Sequence, residues 1–112
     1  MNIECTQEEG ITLAILSGRL DSATSTSVLA RLIESIDHPA PRLLLDASPL
    51  DYVSSAGLRT LLSVAKKIRA TGGKIALAAM KSQVREIYEI SGFQSIIPSY
   101  PDLASARAGL SG

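Results

Sequence analysis

The sequence predicts a small α/β fold: a mixed β-sheet with helices packed against it, in the order β-β-α-β-α-β-α-β-α. Three observations carry that expectation. Residues 11–16, 42–46 and 74–79 are short, mostly apolar runs, as expected of strands covered on both faces. Between them, apolar residues recur at helical spacing, first at Val28, Leu29, Leu32, Ile33 and Ile36, then at Leu58, Leu61, Leu62, Ala65 and Ile68. Prolines at 39 and 41 and glycines at 72 and 73 separate helix from strand at the expected points.

Taken in order, Ile3, Cys5 and Gln7 alternate with polar residues and suggest a half-buried edge strand. Glu9-Gly10 turns the chain into the second strand at 11–16, making an N-terminal hairpin. Gly18-Arg19-Leu20-Asp21-Ser22 ends that strand, and Asp21 or Ser22 can cap the following helix. Residues 37–41 stop the helix and lead into the strand Arg42-Leu43-Leu44-Leu45-Asp46. A loop through Ser54-Ser55 opens a helix over about 55–70, which Thr71-Gly72-Gly73 closes. The strand at 74–79 precedes a helix over 83–91, packed through Val84, Ile87 and Tyr88 and ended by Gly92. Residues 93–97 then read as a short last strand, and Pro101-Asp102 opens a terminal helix with Leu103, Ala106 and Leu110 on one face. Strands joined through helices form right-handed parallel crossovers, so a mixed sheet is the natural packing. If neighbouring strands pair, Asp21, Asp46 and Ser55 come close together at one sheet edge.

At 112 residues the chain suits one domain spanning 1–112. No apolar run approaches the roughly 18–20 residues of a membrane span. Residues 1–5 lack the basic start and apolar block of a secretory signal, and Cys5 stands alone, so a cytoplasmic location is expected. Charge is balanced overall but unevenly placed. Residues 1–51 hold eight acids against Arg19, Arg31 and Arg42, whereas 52–85 hold seven bases and no acid. With zero net charge, and only Phe93 and three tyrosines to stack bases, nucleic acid is not an expected partner.

Several chemistries fail on the residues. A nucleophilic serine needs a base, and the single histidine, His38, lies before the strand whose far end leads to Ser55, about 15 Å or more away. Val53 replaces the first glycine of a G-x-S-x-G elbow. Asp21, Asp46 and Asp51 match no metal-binding spacing, and helix capping and loop hydrogen bonds account for the first two. Neither G-x-x-x-x-G-K-[ST] nor G-x-G-x-x-G occurs, so no cofactor or metal is expected. Ser54 and Ser55 both suit an N-cap. The same helix start, with its unpaired N–H groups, also suits a phosphate brought by a ligand or carried by a serine. The residues alone leave these open.

The stretch Asp46-x-Ser48-x-Leu50-x-Tyr52-Val53-Ser54-Ser55-Ala56-Gly57-Leu58 resembles the signature loop of the STAS domain, in its bacterial anti-sigma factor antagonist branch. Gly18-x-Leu20-Asp21, Gly72-Gly73 and Gly92-Phe93 extend the resemblance over nearly the whole chain. It implies a regulatory binding protein rather than an enzyme. In that family the unphosphorylated antagonist binds an anti-sigma factor that is also an ATP-dependent serine kinase, and so frees the sigma factor. Phosphorylation of the signature serine dissociates the complex, and a metal-dependent serine phosphatase resets it. Register with Gly57-Leu58 puts the acceptor at Ser55, with Ser54 the lesser candidate, and the loop aspartate at Asp21. Asp21, Ser54, Ser55, Gly57, Leu58 and Arg59 are the implied partner-binding residues. Many family members carry aspartate where this chain has Ser54, which leaves two adjacent hydroxyls. The alternative implied by the same domain is a regulatory or scaffold module of a transporter or signalling complex, not phosphorylated. The bases on the helix after Ser55 offer a basic flank to an acidic partner surface.

Overall fold

The computed structural model describes residues 1–111. β1 (Asn2–Glu8) and β2 (Ile11–Leu20) form the expected antiparallel hairpin, turning at Glu9 and Gly10, both with positive φ. α1 (Ser25–Ser35), β3 (Arg42–Asp46), β4 (Leu50–Val53), α2 (Ser55–Ala70) and β5 (Lys74–Ala78) follow. α3 (Ser82–Ser91), a 3₁₀ turn (Phe93–Ser95), β6 (Ser99–Tyr100) and α4 (Leu103–Ser111) complete the described chain. The sheet order is β1-β2-β3-β5-β6, with β4 paired to β2 outside that path, and every pairing except β1–β2 is parallel.

The sheet is covered unequally. In β3, Leu43 and Leu45 face α1, α2 and α3, while Leu44 faces α4, as the two-residue period of a strand requires. Val28, Leu32, Leu61, Val64, Ile68, Val84 and Tyr88 build the larger layer with Leu16, Leu20 and Leu77. Ala106 and Leu110 close the smaller one over Ile11, Leu13 and Ala76. Each fully buried leucine is worth about 2 kcal/mol of transfer free energy, so the larger layer dominates stability.

The structure corrects the expected order in three places. β2 does not stop at residue 16 but runs to Leu20, bending at a bulge beside Gly18, whose φ of +94° a glycine accepts freely. The extension gives residues 50–53 an edge to pair with, so part of the expected loop is the strand β4. Residues 93–97 are not a strand. They make a 3₁₀ turn that buries Ile97 under Tyr88, whose hydroxyl donates to the Ile97 carbonyl, and the last strand follows at 99–100.

Candidate functional site

The site forms where β4 delivers the chain to α2. Leu20 and Val53 are register partners, and the Ser54 amide donates to the Leu20 carbonyl at 2.9 Å. Asp21 and Ser54 therefore sit side by side at the ends of adjacent parallel strands. Ser54 is the N-cap of α2, in extended backbone, and its hydroxyl accepts the Gly57 amide at 3.1 Å. Ser55 is the first helical residue, exposed, and its hydroxyl has no hydrogen-bond partner among the described residues. The two hydroxyls, equivalent on sequence, are thus distinct: one is committed to the helix, the other is free at its positive end.

The sequence suggests Asp21 or Ser22 as the N-cap of α1, but that position is Thr24, which makes no side-chain cap bond, and Asp21 instead holds the turn before the helix. Its carboxylate accepts the amides of Ala23 at 3.0 Å and Thr24 at 3.2 Å, so the turn over 21–24 precedes α1, which starts at Ser25. Arg19 reaches the same carboxylate at 3.7 Å and lies over the Tyr52 ring, 4.2 Å from its centroid. Neither Arg19 nor Tyr52 was among the sequence candidates. The signal for them was the alternation Gly18-Arg19-Leu20, visible once that segment is read as strand.

Gly57 and Leu58 are buried and Arg59 is exposed. A Cβ on Gly57 would lie 2.5 Å from the Leu20 carbonyl oxygen and 2.8 Å from Leu20 Cγ. Glycine lets α2 close on β2 here. Leu58 and Arg59 instead line an open groove of about 290 Å³ between α2 and α3, with Ser55 on its wall and Ile87, Ile90 and Phe93 opposite.

Of the expected meeting of Asp21, Asp46 and Ser55, the structure brings Asp21 to the serine pair but leaves Asp46 away from it. Asp46 pairs in register with Ile15, five residues back along β2 from Leu20 and so on the order of 15 Å from Asp21. It is buried and accepts the Ser48 amide at 3.0 Å, as expected of a loop-bonding aspartate. Asp51 is drawn to Lys81 at 2.5 Å. His38 lines a cleft with Lys67 and Thr71, at the far end of the sixteen-residue α2 and about 24 Å from Ser55. Among the described residues no cluster of three or more His, Cys, Asp or Glu side chains could hold a metal ion, and no helix is long and apolar enough to cross a membrane.

Ser55 is thus exposed at a helix entrance, one residue on from Ser54, which adjoins Asp21, and the single histidine of the chain is a helix-length away. The chain belongs to the STAS domain family, whose model matches residues 2–106, and within it to the anti-sigma factor antagonists. It is 42% identical over 98 residues to BtrV of Bordetella bronchiseptica, assigned as an anti-sigma factor antagonist, covering 88% of this chain and 84% of that one. The fold matches an anti-sigma factor antagonist from Mycobacterium paratuberculosis with a TM-score of 0.89 at 21% identity, over 99% of this chain and 94% of the other. It also matches SpoIIAA, an anti-sigma factor antagonist solved unphosphorylated (TM-score 0.75, 18% identity, 89% of both chains) and, from Bacillus, phosphorylated (0.71, 15%, 96% and 99%).

Proposed function

We propose that this protein is an anti-sigma factor antagonist switched by phosphorylation of Ser55. In its unmodified form it binds a cytoplasmic anti-sigma factor that is also a serine kinase, and the bound sigma factor is released. Ser55 Oγ then attacks the γ-phosphorus of ATP held by that kinase. The new O–P bond forms as the bridging bond to the β-phosphate breaks, ADP leaves, and the hydroxyl proton passes to a base of the kinase. A serine phosphatase hydrolyses the ester and restores the binding form.

The observation that carries this reading is the division between the two serines. Ser54 Oγ is occupied by the Gly57 amide, whereas Ser55 Oγ is exposed and unbonded. A phosphate there adds about −1.5 to −2 charges. Against the N-terminus of α2 those charges leave the helix intact, but a docked partner would have to desolvate them, so binding weakens. The identity with BtrV and the fold shared with SpoIIAA support the same reading.

The test is phosphate incorporation with purified anti-sigma factor kinases of the source organism, localised by fragmentation mass spectrometry. Ser55→Ala should take up none, Ser54→Ala should still be modified, and Ser55→Asp should bind the kinase poorly. Modification at Ser54 alone, or equal binding by Ser55→Ala and Ser55→Asp, would overturn the assignment.

A further inference from the structure

A second concave site lies at the other end of α2, where Arg69 stands about 21 Å along the helix from Ser55. It is a pocket of about 260 Å³ between the end of α2, the start of β5, β6 and the end of α4. Ile75, Ile96, Pro98 and Leu110 give it apolar walls, and the polar side chains that line it are Arg69, Lys74 and Tyr100. All three can donate a hydrogen bond, two are cationic, and no carboxylate side chain joins them. One nitrogen of the Arg69 guanidinium donates to the Ser95 carbonyl at 3.0 Å, which leaves further N–H groups over. Arg69 makes no ion pair among the described residues, where the bases paired with carboxylates are Arg19, Lys81 and Arg107.

The negative end of α2 accounts for a base at Arg69, but not for the phenol beside it. Tyr88 spends its hydroxyl on the Ile97 carbonyl. Tyr100 is half-buried, and its Oη lies only 2.1 Å from where a Cβ on Gly109 would stand. Glycine is a poor residue inside a helix, so its place at 109 weakens α4 while making room for that phenol. Yet the Tyr100 hydroxyl makes no hydrogen bond among the described residues, although the phenol of a buried tyrosine ordinarily finds a partner. Nor is it sealed away, since no fully buried side-chain oxygen there lacks a partner. We infer that this pocket binds a small monocarboxylate, its compact apolar body against Ile75, Ile96 and Leu110 and its carboxylate accepting from Arg69 and the Tyr100 hydroxyl. A planar two-oxygen anion matches the guanidinium fork, and the apolar walls favour an organic body over a bare inorganic ion. The site is independent of Ser55 and stands whichever serine is the acceptor.

The test is an NMR titration of the full, isotope-labelled chain with benzoate and hexanoate, against benzamide and inorganic phosphate. Both carboxylates should shift the amides of Lys74, Ile75, Gly109 and Leu110 saturably, with a Kd of about 1 mM or below, while those of Ser54 and Ser55 stay in place. Tyr100→Phe keeps the ring and should weaken benzoate about three-fold or more, and Arg69→Gln about ten-fold or more. Both variants should melt close to the native chain, since Arg69 is exposed and the Tyr100 hydroxyl is unbonded. Benzamide binding as tightly as benzoate would show that the charge is not read, and phosphate doing so would show that the apolar walls are not; either overturns the inference. Unchanged benzoate affinity in either variant, or no saturable shift with either carboxylate, overturns it as well.

Discussion

The carbonyl oxygen of Leu20 lies 2.5 Å from where a Cβ on Gly57 would stand, so the last residue of β2 and the third of α2 meet backbone to backbone. Alanine is worth about 1 kcal/mol over glycine inside a helix, yet here it must displace a strand carbonyl that also holds the Ser54 amide. Gly57→Ala should therefore lower stability by about 1–3 kcal/mol despite its better propensity. Urea denaturation checks this, and an unchanged midpoint would mean that the contact yields at no cost.

The two serines should separate in stability as well as in chemistry. Ser54→Ala removes the hydroxyl that accepts the Gly57 amide and should cost about 1 kcal/mol, while Ser54→Asp keeps an acceptor and should melt close to the native chain. Ser55→Ala removes an unbonded hydroxyl at an exposed position and should be neutral to within about 0.5 kcal/mol. Thermal melts of the three variants at one pH decide the matter.

Asp21 combines a structural task with a charge beside the proposed acceptor. Asp21→Ala leaves the amides of Ala23 and Thr24 without their carboxylate and should cost about 1–2 kcal/mol. Asp21→Asn retains an oxygen for those amides and should lose much less. If the charge takes part in docking, Asp21→Asn should bind the kinase more weakly while melting nearly as the native chain does, measured by titration calorimetry beside a melt.

Tyr88 gives the fold an alkaline limit. Burial pushes its phenol above the ordinary value of 10.0, outweighing the opposing pull of the Ser99 hydrogen bond and the Arg85 charge. The unfolded chain then loses this proton first, so the contribution is full below pH 10.0 and is lost as pH climbs through the raised folded value. Tyr88→Phe should cost about 1 kcal/mol at neutral pH, because the Ile97 carbonyl loses its donor, and should flatten the stability loss above pH 10. Denaturant midpoints at pH 7, 9 and 10.5 for the two proteins check both effects.

Much of this architecture is legible in the sequence because its signals are local: apolar runs for β3 and β5, helical spacing for α2, paired glycines at its end. β4 is not legible. Leu50-Asp51-Tyr52-Val53 buries its ends and exposes its middle, which matches no alternation, and it becomes a strand only because β2 continues past Gly18. Residues 93–97 mislead in the other direction. Phe93, Ile96 and Ile97 are spaced as on a helix turn but are apolar enough to pass for a strand, and only the hydrogen bond from Tyr88 reveals the turn. At the site, the family resemblance and capping chemistry point to the serine pair, but deciding which hydroxyl caps requires the helix phase to within one residue. Ile90 lies off the buried face of α3, past Val84 and Tyr88, and looks incidental until Leu58 and Phe93 are found lining the same groove.

The Ser54 amide is tied to Leu20 and Gly57 is pressed against the same strand end, so the entrance of α2 has no slack. A charge added at Ser55 changes what this surface attracts, not its shape. In the proposed cycle the molecule then acts as a record, with its history written in one ester bond and read by contact. The lifetime of the record is that of the ester, set by the phosphatase and indifferent to how often the domain opens or refolds. A population of such molecules would store past encounters as a fraction modified, turning brief kinase activity into a slow running average.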